Sequence, residues 1–151
     1  MKRISTIMFL ALIILGQTVL ASDLPVKNQD VSPKQLESQN KEITQLVAVE
    51  LSKDLPKSID KYTKFTKIIA SGAKLIYTFE INTGSKSDKK VINEDKSRMK
   101  EAVTNGICLS SKRFMDAQIT IVYEYISAKS KAKLFQFDVS QADCYKLYGN
   151  K

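Results

Sequence analysis

Apolar positions along this chain recur at two different periods, and the changes from one to the other mark out its elements. Leu36, Ile43, Val47 and Leu51 are spaced by seven and four with Leu46 beside them, while Lys34, Glu37, Lys41, Glu42 and Lys53 fall elsewhere. That spacing predicts an amphipathic helix of about five turns. Ser32-Pro33 supplies an N-cap followed by proline at the first helical position, and Gln35 stands three residues after the cap in capping-box spacing. Pro56 disfavours helical geometry at Leu55, which ends the helix near Asp54. The apolar stripe then needs a sheet to cover.

The period shortens to two in the strands. Tyr62 to Ala70 is rich in β-branched and aromatic residues, Ser71-Gly72 signals a turn, and Lys74 to Asn82 alternates with Leu75, Tyr77, Phe79 and Ile81 on one face. Gln118 to Ile126 alternates likewise through Ile119, Ile121, Tyr123 and Tyr125. A polar turn at Ser127 to Lys131 leads into Leu134 to Val139, where Phe135, Phe137 and Val139 share a face. Two hairpins predict an antiparallel sheet. Between them, Thr83 to Lys90 reads as a loop with Asp88 as N-cap, and Ile92, Met99, Val103 and Ile107 carry helical spacing toward Asn105-Gly106. Ser110 to Asp116 adds one more turn that buries Phe114 or Met115. The expected fold is α+β in the order α-β-β-α-β-β, an antiparallel four-stranded sheet with both helices on one face.

The N-terminus follows another logic. Met1-Lys2-Arg3 is basic, Ile7 to Leu15 is apolar, and small residues stand at Val19 and Ala21 before the first acid, Asp23. These three parts form the pattern of a cleavable secretory signal over residues 1–21. The apolar run is much shorter than the roughly 20 residues of a membrane-spanning helix, so the processed chain is not expected to span a membrane. Residues 22–31 are polar, carry Pro25 and lack periodicity, and read as a flexible leader. Residues 32–151 then form one domain. Export to the periplasm or beyond also sets the cysteine chemistry. Cys108 and Cys144 are expected to pair in an oxidising compartment, closing a loop of 37 residues.

Composition removes most catalytic chemistry. The chain has no His, which excludes Ser-His-Asp and Cys-His sets and imidazole metal ligands. Two Cys cannot build a four-Cys metal site, and none of the five Gly falls in a phosphate-loop pattern. No cofactor, metal or catalytic residue is therefore expected. Paired carboxylates need no His, and Glu80 and Glu124 occupy equivalent points in two similar strands. On an alternating sheet such residues belong to the solvent face.

The net charge of +8 becomes +6 without residues 1–21, which include Lys2 and Arg3, and only Arg98 and Arg113 remain as arginines. Lysine lacks the bidentate fork that base and phosphate recognition favours, so nucleic acid is not an expected partner. Lys86, Lys89 and Lys90 crowd the loop before the second helix, and Lys129, Lys131 and Lys133 crowd the last turn. They read as a solvated surface open to contact with anionic envelope material. The strand aromatics read as core beneath the helices. Tyr145, Leu147 and Tyr148 follow the last Cys outside the strand pattern, and the two tyrosines join Lys86, Lys89 and Lys90 as a candidate partner surface.

Leu55-Pro56, Asp60, Thr63, Leu75-Ile76-Tyr77, Cys108, Val122-Tyr123-Glu124-Tyr125 and Asp143-Cys144 together resemble a loose group of small, exported, mostly uncharacterised Gram-negative proteins with two Cys. The resemblance covers roughly residues 46 to 144. The chain is also similar in outline to the α+β pilotins of type II secretion, small disulfide-containing envelope domains that bind a secretin segment. That resemblance implies a fold and a compartment, and it transfers no functional residue. Those pilotins carry a lipidated Cys, and no Cys lies near residue 21. The expected function is that of an exported, non-enzymatic binding or accessory protein of the cell envelope, with another envelope or secreted protein as partner. The alternatives are an inhibitor or immunity protein against a secreted enzyme, and a small secreted effector or His-free hydrolase.

Overall fold

The computed structural model of the protein describes residues 32–149. The expected signal segment and leader, residues 1–31, lie outside the described residues. The first helix, α1 (Pro33–Ser52), begins as its sequence requires. The Ser32 side chain accepts from the Gln35 backbone, and the Gln35 side chain accepts from the backbone N–H of Ser32 at 3.0 Å. Strands β1 (Lys57–Ser58), β2 (Thr63–Ser71) and β3 (Lys74–Ile81) follow. Gly72 takes the left-handed φ of 58° in the turn that joins β2 to β3. Then come α2 (Asp88–Ser110), α3 (Lys112–Asp116), β4 (Thr120–Ser127), β5 (Lys133–Val139) and α4 (Gln141–Tyr148).

The sheet corrects the expectation of four antiparallel strands. It has five, in the order β1-β2-β3-β4-β5, and β3 runs parallel to β4. The two hairpins are antiparallel as expected. The central pair is joined by α2, whose 23 residues span about 34 Å. A connection of that length returns the chain to the starting end of the sheet, so β4 enters alongside β3 in the same direction. The fifth strand, β1, has two residues after Pro56, too few to show a period.

Both helices lie on one face. Leu75 and Phe79 of β3, Ile121 and Tyr125 of β4, and Phe135, Phe137 and Val139 of β5 are buried there. Val91 of α2 packs against Phe79 and the β5 phenylalanines, and Ala48 of α1 packs with Ile68 and Leu75. The opposite face carries the apolar row Ile69, Ile76 and Val122 and is otherwise cross-linked by ion pairs: Lys131–Glu80 at 3.0 Å, Lys133–Glu124 at 2.6 Å and Lys74–Asp138 at 3.6 Å.

One helix departs from its pattern. The residues α1 buries are Asn40, Thr44 and Ala48, while Ile43, Leu46, Val49 and Leu51 stay exposed. Two hydrogen bonds set that rotation. The Asn40 amide donates to the Ala117 carbonyl and the Thr44 hydroxyl to the Gly72 carbonyl, each at 2.7 Å. A buried polar group that meets a loop carbonyl fixes helix rotation more strictly than non-directional apolar contact does.

Candidate functional site

The predicted site residues fall into two separate places. Lys86 precedes the N-cap Ser87 of α2, and Lys89 and Lys90 occupy its first turn. Lys86 pairs with Glu94 at 2.9 Å and Lys90 with the same carboxylate at 3.8 Å. The Lys86–Glu94 hydrogen bond, and then their mutual attraction, raises the Lys86 ammonium above its usual range and lowers Glu94. One acid thus answers two of the three lysines.

Tyr145 and Tyr148 sit toward the far end of α2, beside Asn105 and Cys108, about 25 Å away along its axis. They belong to α4, a helix that the strand pattern does not announce. The disulfide Cys108–Cys144, with Cα atoms 5.4 Å apart, ties α4 to α2. Together with Leu109 and Met115 these residues line an apolar cavity of about 320 Å³. The Tyr148 hydroxyl donates to Asn105 at 2.9 Å, so Tyr148 is held in place while Tyr145 is 63% exposed.

The carboxylates do not form a pair. Because β3 and β4 are parallel, Glu80 stands beside Ile126 and Glu124 beside Thr78, two residues out of step. Each is bound to its own lysine, as the ion pairs above show. No acid here faces another across a space for substrate.

A larger concave surface lies where the sequence suggested only core. It is an open groove of about 730 Å³ over the middle of the sheet. α1 packs on β2 and α2 on β5, and the strip between them stays uncovered. Its floor is Phe65, Tyr77, Phe79, Tyr123 and Tyr125; Met99, Ala102, Val103 and Gly106 of α2 wall one side, and Ile59, Asp60 and Thr63 the other. The rings contact one another in series, with centroids 4.8 to 5.5 Å apart from Phe65 through Tyr77 and Tyr123 to Phe79 and Tyr125.

The polar atoms of this floor are unusual. The hydroxyls of Tyr77, Tyr123 and Tyr125 make no hydrogen bond to any described residue, whereas Tyr148 does. No buried side-chain polar atom is left unpaired among the described residues, so these hydroxyls are open to the groove. Burial, with the neighbouring Tyr123 second, pushes Tyr77 up to about 12 and raises Tyr125 further; burial alone raises Tyr123. All three stay neutral at physiological pH. They can therefore donate or accept one hydrogen bond each within an apolar surface. At the rim, Asp60 is held below the usual carboxylate range by the N–H groups of Tyr62 and Thr63, at 2.7 and 2.8 Å. Period-two spacing announced the floor residues but could not reveal that the helices leave Phe65, Tyr77 and Tyr123 only partly covered.

Among the described residues no cluster of three metal-ligating side chains occurs, and no helix is long and apolar enough to cross a membrane. No protein-family model matches the chain, and no curated protein matches it. Its fold is similar to that of solved structures. A Pseudomonas aeruginosa protein assigned as secreted superposes with a TM-score of 0.64 at 12% identity, over 72% of this chain and 96% of its own. The pilotin EpsS of the Vibrio vulnificus type 2 secretion system gives 0.58 at 16% identity, over 74% and 96%. The type II secretion pilotin AspS of Vibrio cholerae gives 0.56 at 14% identity, over 74% and 97%. The similarity to α+β pilotins noted in the sequence is thus a similarity of fold.

Proposed function

We propose that this protein is an exported, non-enzymatic accessory protein of the bacterial envelope that binds a segment of a partner protein in the aromatic groove. The observation that carries this reading is the groove itself: five aromatic rings form its floor, Phe65, Tyr77 and Tyr123 only partly buried, and three of the rings carry hydroxyls that bond to no described residue. Leaving that much aromatic surface open forgoes burial worth about 25 cal/mol per Å². Binding recovers it. Aromatic anchors with polar tips are also what protein interfaces concentrate. Two of the similar folds are named as pilotins of type II secretion, which supports assembly of an envelope complex as the setting. This chain's two cysteines are both taken up by the Cys108–Cys144 bridge, so a lipid on either is not part of the reading.

Gly106 offers a clean test. It lines the groove, and a Cβ added there meets nothing within 4 Å. Gly106→Trp should therefore fill the groove while leaving the fold intact, since replacing a mid-helix glycine costs no helix propensity. Wild-type protein, recovered after export and used as bait on its own envelope fraction, should retain a stoichiometric partner that Gly106→Trp loses. Equal retention by both would overturn the groove as the site. A partner that proves to be a single secreted enzyme, inactive in the complex, would favour the inhibitor reading. Hydrolytic turnover abolished by Glu80→Gln or Glu124→Gln would overturn the non-enzymatic one.

A further inference from the structure

The positive charge of the domain is not spread evenly, and one lysine-rich stretch coincides with exposed apolar side chains. Residues 53–67 hold five lysines against two aspartates, a surplus of three within fifteen residues. Lys53, Lys57, Lys61, Lys64 and Lys67 are all exposed, and only Lys53 is in an ion pair, with Glu50. Of the two acids, Asp60 already accepts the N–H groups of Tyr62 and Thr63. Glu80, opposite Lys64 on β3, is engaged by Lys131.

The backbone gathers these charges at one edge. β1 is the outermost strand, with Lys57 opposite Phe65 and Ser58 opposite Lys64, so Lys57 stands on the groove side and Lys64 on the other side of the same sheet edge. The turn between them, tied by the Ile59 and Asp60 N–H groups to the Thr63 carbonyl, carries Lys61 at its tip. On the same turn Ile59 is 54% and Tyr62 57% exposed, and the Lys61 ammonium lies 5.4 Å from the centre of the Tyr62 ring.

We propose that this edge, from Lys57 through the 59–62 turn to Lys64 and Lys67, docks the protein on an anionic lipid bilayer. Charge complementarity selects the occupant. Lysines act as point charges on a surface of headgroups, where each is worth about a fivefold gain in partitioning. The exposed Ile59 gains by entering the headgroup boundary, and Tyr62 has the amphipathic ring that settles at that depth. A soluble polyanion would use the lysines but leave both apolar side chains in water. The same turn walls the groove through Ile59, Asp60 and Thr63, so a docked protein holds the groove's mouth at the membrane surface. This inference stands independently of what the groove binds.

The chain contains no Trp, which makes Tyr62→Trp a sole reporter. That variant of the exported protein is mixed with vesicles of phosphatidylglycerol and phosphatidylcholine, and with vesicles of phosphatidylcholine alone. Indole emission should shift to the blue only with the anionic vesicles, and 1 M salt should reverse it as the screening length falls to about 3 Å. Lys57→Glu, Lys61→Glu and Lys64→Glu combined should weaken partitioning at least about 100-fold. The comparator, Lys86→Glu, Lys89→Glu and Lys90→Glu combined, carries the same charge change at the start of α2, where Asp88 meets Ser130 of the β4–β5 turn, and should cost much less. Far-ultraviolet dichroism of both triple variants verifies that each is folded. Equal losses from the two, or an unshifted indole on bound protein, would overturn the proposal. So would a duplex oligonucleotide that binds as tightly as the anionic vesicles.

Discussion

Removing the disulfide should cost this domain about 4 kcal/mol. The bridge joins residues 36 apart in sequence, the last turn of α2 to the middle of α4. In the chain-entropy model, opening a loop of that length restores to the unfolded chain freedom worth about 4 kcal/mol at 25 °C. Against a typical net stability of 5–15 kcal/mol, that is between a quarter and most of the total. The local effect should be larger still, because α4 has no fully buried residue. Apart from the bridge it is held by the Tyr148–Asn105 hydrogen bond and the packing of Cys144 and Tyr148 on Ile107, Met115 and Val139. Cys108→Ala with Cys144→Ala is the perturbation, and urea unfolding followed by circular dichroism is the assay. With a slope of about 1.5 kcal/mol per M, the midpoint should fall by about 2–3 M. Amides of 142–148 should exchange far faster, whereas those of β3 and β4 lose protection only by the global amount. Either single variant should match the double, since neither can form the bridge. A midpoint change below about 0.5 M at unchanged slope would refute the loop-entropy account.

Other predictions follow from buried polar groups and shifted acids. Asn40→Leu leaves the Ala117 carbonyl without its donor and should cost about 1–3 kcal/mol in urea unfolding, although it makes the face of α1 more apolar. Asp143 is lowered by the Ser140 hydroxyl and then by the Ser140 N–H, at 2.6 and 3.0 Å. A lowered acid stabilises the fold above its unfolded value of 3.8 and loses that contribution as pH falls through the folded value, so thermal midpoints should drop below about pH 4. Asp143→Asn should flatten that acid limb and cost about 1 kcal/mol at pH 7. The raised groove tyrosines act in the opposite direction: stability is complete below pH 10 and declines above it. Spectrophotometric titration should show Tyr77 ionising only near pH 12 or on unfolding.

How much of this was legible in the sequence depended on how local the cause was. The Ser32-Pro33-Gln35 cap, both hairpins and the side-chain alternation within each strand rest on neighbouring residues, and the structure shows them where the pattern put them. The Cys108–Cys144 bridge was legible from arithmetic, there being no other pairing. Strand direction across β3 and β4 was not, because it depends on where a 23-residue helix returns the chain. The rotation of α1 was hidden for a related reason. Its determinants, the Ala117 and Gly72 carbonyls, lie 77 and 28 residues from Asn40 and Thr44. A helical wheel weighs apolar surface and cannot see a distant acceptor. The groove was missed by the same logic, since covered and uncovered aromatics have one and the same period in sequence.

The spacing of the elements explains why that groove stays open and what it can admit. β2 and β5 are three strand intervals apart, about 14 Å. Helices that pack side by side have axes 8–10 Å apart, so α1 over β2 and α2 over β5 leave a strip of sheet between them, bounded opposite α2 by the 59–63 turn. A partner segment of the kind proposed would rest on the rims and send anchors down to Tyr77, Tyr123 and Tyr125, whose hydroxyls would select which polar groups accompany the apolar ones. On the α2 rim, the small residues Ala102 and Gly106 let a partner backbone come close. Specificity on such a surface is carried by a few inserted side chains, so one indole at Gly106 is expected to block it.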